Sequence, residues 1–202
     1  MSAKVQSNDK GYYIIIKTII DYIAALTLLI LLSPLFLIIS IYVARDSSGP
    51  VIYKQERLGK GGCTFMLYKF RSMYMDAEKG GAQWADTDDP RATPVGKFLR
   101  QKRLDELPQL INVLRHEMSF VGPRPEREIF HSEFIKTIPD FDKRLSVLPG
   151  ISGYAQISGG YELSPAEKLV YDLAYIDKRS LKLDTIIVVR TLKVMFSHEG
   201  AR

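Results

Sequence analysis

The stretch Tyr22-Ile-Ala-Ala-Leu-Thr-Leu-Leu-Ile-Leu-Leu-Ser33-Pro34-Leu-Phe-Leu-Ile-Ile-Ser-Ile-Tyr-Val-Ala44 decides how the rest of the chain is read. It carries no charge, and 19 of its 23 residues are hydrophobic. About 20 apolar residues suffice to cross a bilayer. The run is too long for a cleavable leader, no small-residue cleavage site follows it, and Arg45-Asp46 comes next. A simple spanning helix is one reading. Two features favour a re-entrant helix-break-helix that enters and leaves by the same face. Pro34 lies mid-segment, where it removes a backbone donor and bends the helix, and Ser33 offers a hydroxyl to the freed backbone. Basic residues also flank both ends, Lys4, Lys10 and Lys17 before and Arg45, Lys54, Arg57 and Lys60 after. A span usually shows its Lys and Arg excess on one side only. Tyr12, Tyr13, Tyr22 and Tyr42 occupy interfacial positions under either reading.

Outside this segment the chain is ordinary. Its 202 residues carry a net charge of +5 and are 46% hydrophobic. The residues outside 22–44 average roughly 41%, a soluble-domain value. The chain divides into a tail and membrane segment over 1–44 and one soluble domain over 45–202. Cys63 is the only cysteine, which excludes an internal disulfide and a cysteine-based zinc cluster. There is no Walker loop, no G-x-G-x-x-G and no nucleophile elbow, and His116, His131 and His198 stand in no ligand spacing.

The expected fold class is α+β and mostly helical. Val51–Tyr53 and Phe65–Tyr68 read as strands of a small hairpin around Gly59-Lys-Gly-Gly62. Residues 76–96 read as a loop; its Asp86, Asp88 and Asp89 are read as a solvated acidic stretch rather than a metal site. Helices are expected over 95–103, from Pro108 to Met118, over 126–137, 140–147 and 165–178, and from Asp184 to Ser197. Residues 149–153 read as a turn-rich loop and 154–157 as a short extended piece. The last helix carries Val188, Leu192, Met195 and Phe196 on one face, which suits either a membrane surface or the core.

Chemistry concentrates in Lys97-Phe-Leu-Arg100-Gln-Lys102-Arg103-Leu-Asp105-Glu106-Leu-Pro108. Four cations precede two adjacent carboxylates, and Pro108 opens a helix just beyond them. A helix N-terminus keeps carboxylates ionised and attracts phosphate. An ionised Asp beside phosphate can act as a nucleophile, and a neighbouring carboxylate can hold Mg²⁺. Acidic residues are common in first turns, so the pair alone means little. Two further clusters give it weight: Lys69 and Arg71 at a strand end, and Arg124 fixed between Pro123 and Pro125. Arginine grips phosphate in a planar, bidentate way. With a membrane segment in the same chain, these residues point to an anionic substrate handled at a membrane surface.

In order, the Ser33-Pro34 segment, Lys69-Phe-Arg-Ser-Met73, Arg100, Asp105-Glu106-Leu-Pro-Gln-Leu110, Ser119-Phe-Val-Gly-Pro-Arg-Pro125 and Pro149-Gly-Ile-Ser-Gly-Tyr-Ala-Gln156 resemble the bacterial monotopic phosphoglycosyl transferases. The likeness runs from about residue 12 to residue 202, and it corresponds to the family's catalytic core. It implies transfer of a sugar 1-phosphate from a UDP-sugar to polyprenol (undecaprenyl) phosphate, with release of UMP. That reaction opens exopolysaccharide, capsule or other glycoconjugate assembly. The resemblance gives Asp105 the role of nucleophile, through a covalent phosphosugar, and Glu106 that of Mg²⁺ holder. Arg100 and Arg124 become phosphate or sugar contacts, joined by Lys69 and Arg71; Tyr154 and Gln156 fall where sugar or uracil would be read. It implies a re-entrant membrane helix broken at Ser33 and Pro34, with amphipathic interfacial helices around the site. The place is the cytoplasmic face of the bacterial inner membrane. The partners are the UDP-sugar, polyprenol phosphate and the lipid bilayer, with a homodimer open and no nucleic acid. Some members carry Trp at the Tyr154 position and a basic residue shortly after, where this chain has Ser158-Gly-Gly160, so the sugar is left open.

Overall fold

The computed structural model describes residues 11–83, 89–160 and 163–197, the last three without side chains. Lys4, Lys10, Asp86, Asp88, His198 and the side chains of Met195 and Phe196 therefore lie outside the described residues. Two helices open the fold, α1 (Gly11–Leu31) and α2 (Ser33–Asp46), meeting at Leu32. Pro34 cannot donate to Ile30 O, its partner in an unbroken helix. The Ser33 hydroxyl donates to that carbonyl instead, at 2.8 Å. Backbone bonds continue on both sides, Leu32 N to Leu28 O and Phe36 N to Leu32 O. A side chain thus satisfies the carbonyl that Pro34 leaves free.

Both helices pack on the same body. On α1, Tyr13, Asp21 and Ala25 are buried, four or eight residues apart on one face. Ala25 joins Leu67, Leu110, Val113 and Met118 in one apolar cluster. On α2, Ile39 and Val43 join Phe70 and Leu99 in another. Between them, around the break, Ile30, Leu31 and Leu37 are 64%, 68% and 64% exposed. The first helix is long and apolar enough to cross a membrane by length and composition.

The hairpin pairs β1 (Ile52–Leu58) with β2 (Thr64–Phe70), antiparallel, with Tyr53 opposite Lys69. It is longer than the sequence pattern predicts because Gly61 and Gly62 both adopt positive φ, which lets the strands run to the turn. Helix α3 (Pro94–Gln101) starts one residue earlier and ends two earlier than the expected 95–103; Thr93 caps it and Pro94 opens it. Helix α4 (Gln109–Leu114) stops short of Met118. His116 takes a left-handed conformation, and Glu117 N bonds Asn112 O in a C-terminal cap usually made by glycine.

Beyond α4, three expectations need correction. The 149–153 segment contains a strand, β4 (Gly150–Ser152), parallel to β3 (Ser119–Val121). The pairing rests on close approach: a Cβ on Gly122 would lie 2.4 Å from Leu148 O, and one on Gly150 2.1 Å from Gly122 N. Residues 154–157 form a helical turn, α6 (Tyr154–Ile157), rather than an extended piece. Residues 141–146 form a 3-10 turn rather than an α-helix, after α5 (Glu128–Thr137). Helix α7 (Pro165–Lys178) opens on a capping box between Ser164 and Glu167. In α8 (Leu181–Ser197), Ile187 is fully buried against Val121, Val147, Tyr175 and Ile176, while Val188, Val189 and Leu192 are exposed.

A polar stripe ties α1 to this core. Tyr13 donates to Asp184 at 2.9 Å and Lys17 at 3.0 Å, and Ser119 donates to Asp21 at 2.7 Å. The charged residues of an otherwise apolar helix, Lys17 and Asp21, thus both face protein.

Candidate active site

The Asp105-Glu106 pair sits in a 3-10 turn, Leu104–Glu106. Leu104 and Leu107 flank it and pack into the Ile39–Val43–Phe70–Leu99 cluster. The apolar residues on either side are drawn toward the α2 core, which turns the two carboxylates to the opposite side. Both are largely buried, 6% and 9% exposed. Arg103, just before them, holds a left-handed conformation (φ 55°), a strained choice for a non-glycine residue.

Two cations meet the pair. Lys69 Nζ donates to Glu106 Oε1 at 2.9 Å and lies 3.8 Å from Asp105 Oδ2. Arg124 Nη2 donates to the same Glu106 oxygen at 2.5 Å. The two carboxylates respond in opposite ways. Burial raises Asp105 to about 6; Lys69, Arg124 and Arg100 oppose the rise and Glu106 adds to it. Burial would raise Glu106 too, but the charges and hydrogen bonds of Arg124 and Lys69 hold it well below the usual carboxylate range. Glu106 is thus a fixed anion that anchors two cations, whereas Asp105 titrates near neutrality.

A cavity of about 290 Å³ opens over the pair. Its cations include Arg57, Lys69, Arg91, Arg100, Arg103 and Arg124, and its aromatic wall includes Tyr53, Tyr74 and Phe130. Such a surface suits a polyanion carrying an aromatic ring. Among the described residues no group of three or more His, Cys, Asp or Glu gathers as a metal cage. Mg²⁺ needs no cage, since it binds through one or two carboxylates together with substrate phosphates. The adjacent hard-oxygen carboxylates fit that mode.

The turn carrying Arg124 is held at every carbonyl. Pro123 O accepts from Gly150 N at 2.9 Å, and Glu126 O from Leu58 N at 2.9 Å. Arg124 O accepts from Arg144 Nη2, and Pro125 O from Arg57 Nη1, each at 3.1 Å. The two prolines have no N–H to satisfy. The Arg124 side chain is therefore presented to Glu106 from a rigid support.

Of the residues singled out in the sequence, the fold brings Lys69, Arg71, Arg100, Asp105, Glu106 and Arg124 to one cavity. Arg71 also has a structural task. It is 3% exposed and commits its guanidinium to Pro50 O, Val43 O at 2.9 Å and Ser47 O at 2.6 Å. These contacts tie the end of α2 to β2, which accounts for its burial without a phosphate. Tyr154 packs edge-on against Tyr171, and Gln156 lines a smaller neighbouring cavity. Ser33 and Pro34 stand at the break between α1 and α2. Sequence reasoning missed Arg144 and Arg57 as supports. The period-two polar face Tyr53, Gln55, Arg57 could have flagged Arg57. Arg144 finds its partner Asp172 across 28 residues, and no local pattern reports that.

Known proteins resemble this chain over most of its length. The pattern that describes the bacterial sugar transferase family matches residues 12–198. The UDP-N-acetylgalactosamine-undecaprenyl-phosphate N-acetylgalactosaminephosphotransferase of Aeromonas hydrophila is 44% identical over 94% of this chain and 46% of its own length. The UDP-glucose:undecaprenyl-phosphate glucose-1-phosphate transferase of Caulobacter vibrioides is 36% identical over 92% of this chain and 71% of that protein. The undecaprenyl-phosphate galactose phosphotransferase of Salmonella typhimurium is 36% identical over 100% of this chain and 45% of that protein. This chain thus spans less than half the length of the Aeromonas and Salmonella relatives. With a match that covers nearly all its residues, and with these relatives, the chain belongs to the bacterial sugar transferase family.

Proposed function

We propose that this chain transfers a sugar 1-phosphate from a UDP-sugar to polyprenol phosphate, yielding polyprenyl-diphosphate-sugar and UMP. The observation that carries this is the buried pair of adjacent carboxylates at the floor of a cation-lined cavity, one held ionised and the other titrating near neutrality. The relatives' names add undecaprenyl phosphate and three different sugars. An Asp105 oxygen attacks the β-phosphorus of the donor. The bond from that phosphorus to the bridging oxygen breaks, UMP leaves with the electron pair, and an aspartyl phosphosugar remains. A phosphate oxygen of the polyprenol phosphate then attacks the same phosphorus, and the Asp105 carboxylate departs unchanged. Two half-reactions let one phosphate site serve donor and acceptor in turn.

Lys69 and Arg124 lie where charge collects on the phosphoryl oxygens, and Arg100 adds to the field. Glu106 fixes both cations. Glu106, with Asp105 beside it, would hold Mg²⁺ against the donor phosphates; when bound, that ion neutralises phosphate charge. The direct test is mass spectrometry of the protein mixed with a UDP-sugar and no acceptor. A sugar-phosphate adduct on Asp105 is expected, and polyprenol phosphate should discharge it; UMP release should stop on chelation of divalent cations. UMP release with no adduct, under rapid quenching, would sink the covalent route.

The same reading makes α1 and α2 a re-entrant wedge in the cytoplasmic leaflet of the inner membrane, and the first step of exopolysaccharide, capsule or related glycan assembly the setting. Burial supports the wedge. The start of α1 at Tyr13 and the end of α2 at Val43 both rest on the catalytic body, while exposed apolar residues run along both helices and through the break, from Tyr12 to Tyr42. The buried span from Tyr13 to Ala25 is about 18 Å of helix. A bilayer-crossing α1 would drag that face of the domain into lipid. In a Cys63→Ser background, cysteines at Gly11 and Ser48 should label equally from the cytoplasmic side and not from outside. Labelling from opposite sides would overturn the wedge.

A further inference from the structure

We propose that a second cavity beside the carboxylate pair is the subsite that reads the sugar of the donor; this rests on the transferase reading above. The cavity measures about 40 Å³. Arg103, Arg124, Glu126 and Lys168 line both it and the larger cavity, so the two share a wall. A donor whose phosphorus lies at Asp105 has two arms. In-line attack sends the UMP arm away from the nucleophile, while the sugar oxygen stays to the side of that line. Two cavities that diverge from one phosphate-binding wall match two diverging arms.

Lining chemistry decides which arm enters which cavity. Uracil is a flat ring that binds by stacking, and the aromatic side chains Tyr53, Tyr74 and Phe130 all belong to the larger cavity. Among the described residues no aromatic side chain lines the smaller one. Its wall alternates donors and acceptors, Lys168 and Arg103 against Glu126 and Asp172, which suits hydroxyls that both give and accept. Gln156 is fixed by donating to Ile151 O at 2.9 Å, and its Oε1 has no partner in the protein. Gln156 lines the cavity, so its amide is the group that an N–H or O–H of the sugar would meet on this wall. At about 10–15 Å³ per water, the volume admits a few waters or one substituent such as an acetamido or hydroxymethyl group, and no nucleoside.

Shape is set by small residues on firm supports. Ala155 and Gly160 leave the space open, and the buried Arg144–Asp172 pair forms part of the wall. Asp172 follows Lys168 by one turn of α7, so one helix supplies both an acceptor and a donor. The relatives accept N-acetylgalactosamine, glucose or galactose by name, sugars that differ in one acetamido group and one hydroxyl orientation. A cavity of this size is the scale on which such differences are read.

The test fills the cavity. The full chain in lipid nanodiscs is assayed for UMP release with a panel of UDP-hexoses, with and without a 2-acetamido group. Ala155→Val should change the ratio of kcat/KM between the two classes by about tenfold or more, with UMP inhibition unchanged. Gln156→Leu, which removes the acceptor without adding bulk, should shift the same ratio and serves if the valine variant does not fold. Equal losses for every sugar, or a matching loss of UMP inhibition, would overturn the subsite. No UMP release by the wild type with any sugar would overturn the transferase reading and the subsite with it, a result distinct from unaltered ratios.

Discussion

Replacing Asp105 with asparagine is expected to abolish turnover and, at pH 8, to make the protein more stable. Loss of a covalent nucleophile costs on the order of 10⁴- to 10⁶-fold in rate. Asparagine keeps the shape but cannot form the acyl phosphate. The stability effect follows from Asp105 being raised to about 6, mainly by burial. In the unfolded chain an Asp ionises near 3.8. Between those values the folded state keeps a proton that the unfolded state has lost, so stability falls as pH rises from about 4 to 6 and is then level. At about 1.4 kcal/mol per pH unit, the ionised side chain costs the fold on the order of 3 kcal/mol above pH 6. The asparagine variant escapes that cost, so it should melt several degrees higher at pH 8 and at nearly the wild-type temperature at pH 4. Wild-type kcat/KM should rise with pH through about 6, as the nucleophile ionises. Residual UMP release by the variant near the wild-type rate would remove Asp105 from the mechanism. Equal melting temperatures at pH 8 would show that the ionised carboxylate is better solvated than its burial implies.

Much of this site was legible before the fold was known, because its parts are local. The Asp105-Glu106 pair, the fixed Pro123-Arg124-Pro125 turn and Lys69 at a strand end each advertise themselves within a few residues. Their convergence could only be inferred, since it rests on β2, a 3-10 turn and the β3–β4 pair coming together. The two-stranded parallel pair was illegible because its strands are three residues long and its signal is glycine, which reads as turn. Gly122 and Gly150 are needed for backbone contact rather than for turning. Arg71 carries a second task that no local pattern reports. β2 ends at Phe70, so Arg71 leaves the strand, and while Lys69 reaches the carboxylates Arg71 also binds the carbonyls ending α2.

The membrane helices and the site are linked through the same packing. Leu104 and Leu107 bracket the carboxylates and share a cluster with Leu35, Phe36 and Ile39 of α2. On the other side, Asp21 of α1 accepts from Ser119 at the start of β3, three residues before Gly122 and the Arg124 turn. The break between α1 and α2 and the placing of Asp105 and Arg124 are therefore set by one body.

Removing Arg144 should have the second large effect, and it separates support from chemistry. Arg144 is 5% exposed and Asp172 1%. Arg144 donates to Asp172 Oδ2 through Nη2 at 2.7 Å and Nε at 3.1 Å, and to Arg124 O at 3.1 Å. Its third nitrogen lies 3.5 Å from Glu126. Burial raises Asp172 above the usual carboxylate range even with Arg144 opposing it. Arg144→Met leaves that carboxylate buried without its cation, a change that costs about 3–5 kcal/mol. For a domain of this size the melting point should fall by on the order of 10 °C. Pairing it with Asp172→Leu removes the stranded charge as well, and such apolar replacement of a buried ion pair often recovers stability. The double variant should therefore melt close to the wild type, yet remain about tenfold or more below it in kcat/KM, because Arg124 O has lost its donor and a misplaced catalytic group is felt steeply. In an Arg124→Ala background the same double change should cost less, since the residue it positions is gone and only the loss of Arg144 and Asp172 from the wall of the smaller cavity remains. Recovery of both stability and activity in the double variant would make Arg144 a structural residue alone. A full additional loss in the Arg124→Ala background would mean that Arg144 acts on the reaction by a route other than Arg124.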